Sequence, residues 1–531
     1  MIGTLACASG STVVHPDAVM EEQPVLDASV DAARSSDAPL DPAARDAGSE
    51  DPVARDSSVE DTAADARPAD AAADAAAPPV RGLEALQRDF VDLRFGMFLH
   101  FGILTYTGSW GAPNLDISMF NPTQLDPNQW ADAAVSAGMK FGVLTTRHHD
   151  GFALWNSQVS DFDVGAIAWQ GGQGDVVRAY VDAFRAHGLL PGLYYSVWDS
   201  THPVGGTSTN ENPPVTADQL AYVKAQLTEL LTSYGPIPLL IFDGWGWKMG
   251  HRQVPYQEIR ALVKSLQPDC LLLDNSHLMS PWESDLAGIE EAQGNAFVPA
   301  DNTFPAVQMQ KINATGGNDW FWAPNLGNVM TVATIVDQHL KRIEPLWTNF
   351  LLNCPPNRDG LLPPEIVSRL AEVGAAWAPD TSRPPLPAQP PQIDVAYDPV
   401  TAVATSGPST YAVDGKDDWY YYSVWESAGV LPQSVTADLG QERPDVSVLN
   451  YVPRYVAQVG PSTDGAITAY QVYVSSDGAA FTMVASGEWP VNGLMKTASF
   501  APVAARYVRL EATAVNGTNV AATELAVGAG R

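Results

Sequence analysis

Between residues 95 and 275 the chain alternates short runs that are apolar on both faces with longer segments of helical period. The runs are FGMFLHFG (95–102), FGVLTTRHH (141–149), GLYYSVWD (192–199), PLLIFDGW (238–245) and CLLLDN (270–275). Helical patterns lie between them at 127–138, 175–188, 217–234 and 255–266, and LEALQRDFVDLRF leads into the first run. A strand apolar on both faces must be covered on both faces, which predicts a parallel sheet dressed with helices. Five such units, with more helix expected at 331–344 and 363–377, favour a closed (β/α)₈-like TIM barrel over an open doubly wound sheet. No glycine-rich phosphate loop follows the first run, which counts against a dinucleotide fold.

The predicted barrel spans 82–380 of a 531-residue chain, so there is material on both sides. Residues 16–80 repeat Asp-Ala-Ala-Arg, Ala-Arg-Asp and Ala-Asp-Ala pieces with scattered Pro and Ser. The first eighty residues hold sixteen acidic side chains against four arginines. So little apolar area cannot offset the entropy of ordering, and the segment reads as a self-repelling linker. Ahead of it, residues 1–15 end the run Leu5-Ala6-Cys7 in a lipoprotein-like cleavage site. The basic n-region is missing and the apolar core is short, so the segment reads as a truncated signal. Export is expected, either secreted or periplasmic, or as a surface lipoprotein with a lipid anchor at Cys7. The formal charge of −32 repels phosphates and argues against nucleic acid, while neutral glycans remain open. No stretch approaches 18 consecutive apolar residues, so no transmembrane span is expected. Cys270 and Cys354 sit in apolar runs and read as buried free thiols. A Pro-rich linker at 381–392 is followed by period-two alternation, as in YQVYVSSDGAAFTMVASGEW. This predicts an all-β sandwich over 393–531.

In a parallel barrel the reactive groups belong at the carboxyl ends of the strands. His100 closes the first strand, His148, His149 and Asp150 the second, Trp198 and Asp199 the third, and Asp243 the fourth. A loop expected after the fifth strand carries Asp285, Glu290 and Glu291. One aspartate after a strand is ordinarily a cap or turn residue; polar residues closing four strands in succession point to a pocket. Asp243 lies in LLIFDGWGW, among apolar and aromatic groups that exclude water. Glycosidases need two carboxyl groups, and a strand end fixes the position that a nucleophile requires. A neighbouring glutamate whose pKa is raised by that charge suits the acid/base. The histidines would serve sugar hydroxyls. The same side chains could in principle ligate zinc, but the first strand lacks the His-x-His pair of metal-dependent barrels. Adjacent His148 and His149 also diverge if strand-like. No catalytic metal is expected.

With those blocks in the order quoted, the chain resembles glycoside hydrolase family 29, the α-L-fucosidases. FGMFLHFGILTYTGSWG, FNPTQLDPNQWADAAVSAGMKFGVLTTRHHDGFALWNSQVSDFDV, GLYYSVWDS, LLIFDGWGW and LLNCPPNRDGLLP carry the likeness across about 90–375. The resemblance implies a retaining exo-α-L-fucosidase acting through a covalent fucosyl-enzyme, with Asp243 as nucleophile. It implies that His100, His148 and His149 bind fucose hydroxyls, with Trp110, Trp198 and a third-strand tyrosine, Tyr195 or its neighbour Tyr194, beside the sugar. SDLAGIEEAQGN is similar to the family's acid/base segment, giving Glu290, with Glu291 second. Relatives often carry Glu where Ser109 stands, which puts one hydroxyl contact in question. The FDGW form is closer to the branch preferring α-1,3/1,4-linked fucose.

The C-terminal stretch resembles the coagulation factor 5/8 type C (discoidin-like) jelly roll through AVDG, VTADLG, ITAYQVYVSSDG and ARYVRLEA. Such modules bind glycans or pack passively on an enzyme, and often hold a structural Ca²⁺, for which the sequence assigns no ligands. Two other readings stay open: a non-catalytic glycan-binding surface protein on a barrel scaffold, and a barrel glycosidase for another sugar.

Overall fold

The computed structural model describes residues 81–530 apart from 108–111, 203, 205–212, 276–283, 291–297, 314–319, 325–326, 417–422 and 457–459. The segments expected to be a signal (1–15, with Cys7) and a linker (16–80), and also Ser109, Trp110 and Glu291, therefore lie outside the described residues. None of the described helices is long and apolar enough to cross a membrane.

Eight parallel strands form one sheet: β1 (Phe95–Leu99), β2 (Phe141–Arg147), β3 (Leu190–Ser196), β4 (Leu239–Asp243), β5 (Leu271–Asp274), β6 (Ala287–Glu290), β7 (Ala306–Lys311) and β8 (Thr348–Asn353). Their order is β5-β4-β3-β2-β1-β8-β7-β6. The sheet comes round on itself where Leu273 bridges Leu286 in parallel, so it is a nearly closed barrel. Five of the strands are those the apolar runs predict. β6 and β7 correct the expectation: Glu290 was placed on a loop after the fifth strand and instead ends β6.

Helices cover the outside, and their starts follow from local chemistry. Asp126 accepts from the amides of Asn128 and Gln129 ahead of Pro127–Ser136, with Pro at the first helical position. Asp175 accepts from Arg178 N ahead of Val176–Ala186. Thr216 and Gln219 form a reciprocal capping box on Ala217–Ser233. The carboxyl-terminal helix Pro364–Ala376 falls where the periodicity put it.

The two-residue period of a strand divides the core in two. Phe95, Met97, Leu99, Leu193, Tyr195, Leu240, Phe242 and Leu272 face the helices. Phe98, Val143, Tyr194, Ile241, Leu273, Val307, Met309 and Leu351 fill the barrel lumen. Cys270 and Cys354 are free and buried.

Residues 393–530 form an antiparallel sandwich. Its main sheet runs Thr482–Glu488, Ile467–Ser475, Lys496–Val515, Gln433–Val452, Glu524–Gly530, Ile393–Ala396. The strand Gln433–Val452 changes register between Asp438 and Val448, which bends it so that one end pairs with Thr401–Ala404 and the other with Glu524–Gly530. Trp425, Val435, Leu449, Tyr451, Val472 and Leu510 make its separate core. Arg252 of the barrel donates to Pro399 O and Val413 O, and Gln257 to Ala396 O, so the module is hydrogen-bonded to the segment after β4. No group of three or more His, Cys, Asp or Glu placed to hold a metal ion occurs among the described residues.

Candidate active site

The lumen parity sets which strand-end residues meet. Continuing two residues past Phe98, Ile241, Leu273, Met309 and Leu351 gives His100, Asp243, Asn275, Lys311 and Asn353, a polar top layer on the apolar plug. Gly288 abuts Leu273 of the lumen, so Glu290 joins the same layer. β2 breaks the pattern. Its register against β3 shifts between Thr145 and Arg147, the signature of a bulge. The shift turns Arg147 to the helix side, where it stacks on Tyr195, donates to Gln226 Oε1 at 2.7 Å and pairs with Asp199 at 3.3 Å. The His148 ring then stacks on lumen-facing Tyr194.

Asp243 is buried and held from two sides. The Tyr194 hydroxyl donates to its Oδ2 at 2.7 Å and the Gly244 amide to its Oδ1 at 2.5 Å. Gly244 has φ +67°, and a Cβ there would sit 2.7 Å from that of Trp198, so only glycine allows this turn. His149 Nε2 lies 3.8 Å from Asp243 Oδ2. Glu290 accepts from Asn275 Nδ2 at 2.6 Å. Burial, and next the negative charge of Asp243, push the Glu290 carboxyl up to about 7, against the opposing Asn275 bond and the Lys311 charge. The two carboxyl groups are therefore unlike: one hydrogen-bonded by two donors, the other holding its proton near neutrality.

The three histidines are neutral at pH 7 because burial disfavours the imidazolium. It takes His100 down to about 3 and His149 to about 4, against the pull of Asp243, and puts His148 well below its usual range. The rings of His148 and His149 are 4.1 Å apart between centroids; His100 lies 5.7 Å from His148 and 5.0 Å from Trp320. Trp198 packs against His149 at 5.1 Å and carries the Lys248 ammonium 4.2 Å over its face.

His100, His148, His149, Trp198, Asp243 and Glu290, all singled out from sequence, thus gather in one layer or pack directly on it. Tyr195 does not. It faces the helices with its hydroxyl on Gln226 Oε1, and Tyr194 is the tyrosine beside Asp243; strand alternation sends neighbours to opposite faces. Asp285 is also outside the site: its carboxylate accepts from the Leu272 amide and pairs with Arg260 and Lys264 at 3.3 and 2.8 Å. Asp150 and Asp199 hold turns, through the amides of Phe152 and of Thr201 and His202. Ser196, Lys248, Asn275, Lys311 and Asn353 were not singled out as site residues, and Tyr194 only as the alternative to Tyr195. Carrying the lumen parity to each strand end finds all of these but Lys248, which lies on the short helix Gly246–Met249 after β4.

A family model described as alpha-L-fucosidase matches residues 106–379, and a model of the F5/8 type C domain matches 399–525. Putative alpha-L-fucosidase 1 of Oryza sativa subsp. japonica is 31% identical over 313 residues, covering 55% of this chain and 58% of the relative. Alpha-L-fucosidase 1 of Arabidopsis thaliana is 30% identical, covering 52% and 56%. The chain thus spans under three fifths of the length of these curated relatives. Among solved structures, alpha-L-fucosidase isoenzyme 1 from Paenibacillus thiaminolyticus aligns over 81% of this chain and 99% of that one, at 23% identity and a TM-score of 0.49. The family model spans just over half of the chain and takes in the strand ends that bear His148, His149, Asp243 and Glu290, and the chain belongs to the α-L-fucosidase family.

Proposed function

We propose that the protein is a retaining exo-α-L-fucosidase that removes terminal α-L-fucose from glycans. The observation that carries this reading is the pairing of Asp243, fixed by Tyr194 and Gly244, with Glu290, whose proton is retained partly because Asp243 is charged. In the first step an Asp243 oxygen bonds to the anomeric carbon as the bond to the aglycone oxygen breaks, and the Glu290 proton goes to that oxygen. In the second, Glu290 takes a proton from water, whose oxygen bonds to the anomeric carbon as the ester to Asp243 breaks. The neutral histidines hold the sugar hydroxyls, and Trp198 shields one side. Linkage to the 3- or 4-position of a branched glycan is the preference the FDGW segment favours.

Hydrolysis of a fluorogenic α-L-fucoside, with the product anomer followed by NMR, tests the reaction and its stereochemistry together. α-L-Fucose as the first product supports the reading; β-L-fucose, or turnover of other aryl glycosides only, overturns it. Asp243→Ala should lose about 10⁴-fold or more in kcat and regain turnover with azide, since the covalent step is lost. Near-native activity in that variant would remove Asp243 from the role. We also propose export with a lipid tether at Cys7, supported by the Leu5-Ala6-Cys7 stretch and the acidic spacer after it. Metabolic labelling with a palmitate analogue, lost in Cys7→Ser, tests it.

A further inference from the structure

Two of the pocket histidines are each backed by a group whose hydrogen-bonding role is already fixed by a third atom. His100 Nδ1 lies 2.9 Å from Asn353 Oδ1. The Asn353 amide cannot be turned over, because its Nδ2 donates to Trp320 O at 2.6 Å and its Oδ1 also accepts from the His100 amide. The atom facing the ring is thus an acceptor, and His100 Nδ1 must carry a proton. His149 Nδ1 lies 2.7 Å from Ser196 Oγ, which is itself 2.7 Å from Trp198 O. A carbonyl oxygen only accepts, so the single hydroxyl proton of Ser196 goes to Trp198 O, and Oγ must accept from His149 Nδ1–H. The opposite arrangement would leave two oxygen lone pairs facing each other at 2.7 Å inside the protein.

We infer that Asn353 and Ser196 are positioning residues that lock His100 and His149 as Nδ1–H tautomers. Both rings then offer an unprotonated Nε2 and take sugar hydroxyls only as hydrogen-bond donors. The inference rests on the fucosidase reading for the identity of the sugar. Burial keeps both rings neutral, so the tautomer persists across the working pH range. The geometry explains how His149 Nε2 sits 3.8 Å from an Asp243 oxygen with no proton of its own between them: a sugar hydroxyl there meets two acceptors and supplies the proton. It also sets a substrate class. Two nitrogen lone pairs beside the Asp243 carboxylate favour a sugar that presents hydroxyl donors to that wall of the pocket.

The full-length protein labelled with ¹⁵N-histidine gives a direct readout, with His100→Gln and His149→Gln assigning the two rings among nine histidines. Pyrrole-type nitrogen signals at Nδ1 and pyridine-type signals at Nε2 are expected for both at pH 7. A proton on Nε2 of either ring would overturn the inference. In Ser196→Ala the His149 ring should lose its fixed tautomer, whereas Asn353→Asp, which keeps an acceptor, should preserve that of His100. An unchanged His149 ring in Ser196→Ala would remove Ser196 from the positioning role. Binding of L-fucose and of its 2-, 3- and 4-deoxyfluoro analogues by calorimetry reads the consequence. Fluorine keeps the size of the hydroxyl but has no proton, so two of the three analogues should bind about tenfold more weakly, the worth of one hydrogen bond. Equal binding of all three overturns the donor-only reading. Absence of fucose binding with both tautomers intact would instead strike the fucosidase proposal alone.

Discussion

Asp243→Asn should lower the proton affinity of Glu290, and the size of the change can be worked from the pocket. The substitution keeps the shape of the side chain and an oxygen for the Tyr194 hydroxyl, but removes the charge. At the about 5 Å separation of a retaining pair and an effective dielectric of about 20, two unit charges repel by about 3 kcal/mol, equivalent to roughly 2 pH units. The sign is fixed: repulsion penalises ionised Glu290, so deleting the Asp243 charge favours ionisation and moves the midpoint down from about 7. It should stop short of an exposed glutamate's, because burial, the larger cause, persists. The assay is ¹³C NMR of glutamate-labelled protein titrated in both forms, with Glu290→Gln assigning the signal. A midpoint that moves by less than about half a unit would mean that Asp243 and Glu290 do not feel each other, and the paired-carboxyl reading would fail. The same electrostatics governs the proposed cycle. Once Asp243 is esterified it carries no charge, so Glu290, having given its proton to the leaving oxygen, rests as the carboxylate that acts as base in the second step.

Activity should fall as pH rises through about 7, because the acid form of Glu290 is needed for leaving-group protonation; a basic limb unrelated to Glu290→Gln would contradict this. Asn275→Ala removes a donor that favours ionised Glu290, so that limb should move up by about half to one pH unit in a kcat/KM profile. Tyr194→Phe strips a hydrogen bond from a buried carboxylate and should cost about 10- to 100-fold in kcat/KM, while Tyr195→Phe should leave kcat/KM within about threefold. Asp285→Asn leaves Arg260 and Lys264 facing a neutral group under β5. Thermal inactivation should reveal destabilisation of about 3 to 5 kcal/mol with an unchanged KM in the surviving enzyme.

How much of this was legible in the sequence follows from the range of the interactions involved. β1 to β5 announce themselves because each is an apolar run between helical patterns, a local signal. β6 holds only Ala287, Gly288, Ile289 and Glu290, and its Gly288 is there to let Leu273 approach. A four-residue strand with a glycine in it has no periodicity to read. Asp243 and the histidines were legible because a charged or titratable residue ending an apolar strand is costly unless it has a use. Asn353 and Ser196 are small, uncharged and adjacent to apolar runs, and their roles exist only through partners far away in the chain, at His100 and His149. Tyr194 and Tyr195 are identical as residues; only the count along β3 separates them, and that count has to be anchored by knowing which neighbour faces the lumen. Leu193 packs toward the helices, so Tyr194 must face inward, and the register Ser196 to Asp243 between β3 and β4 then brings its hydroxyl to the carboxylate. The bulge in β2 has no such anchor. Thr145, Thr146 and Arg147 read as an uninterrupted strand, and continued alternation would have sent Arg147 into the lumen. The guanidinium goes instead to the helix side, where Asp199 supplies a buried counter-charge and Gln226 an acceptor. The bulge that this preference selects is what lets the His148 ring stack on Tyr194 inside the barrel.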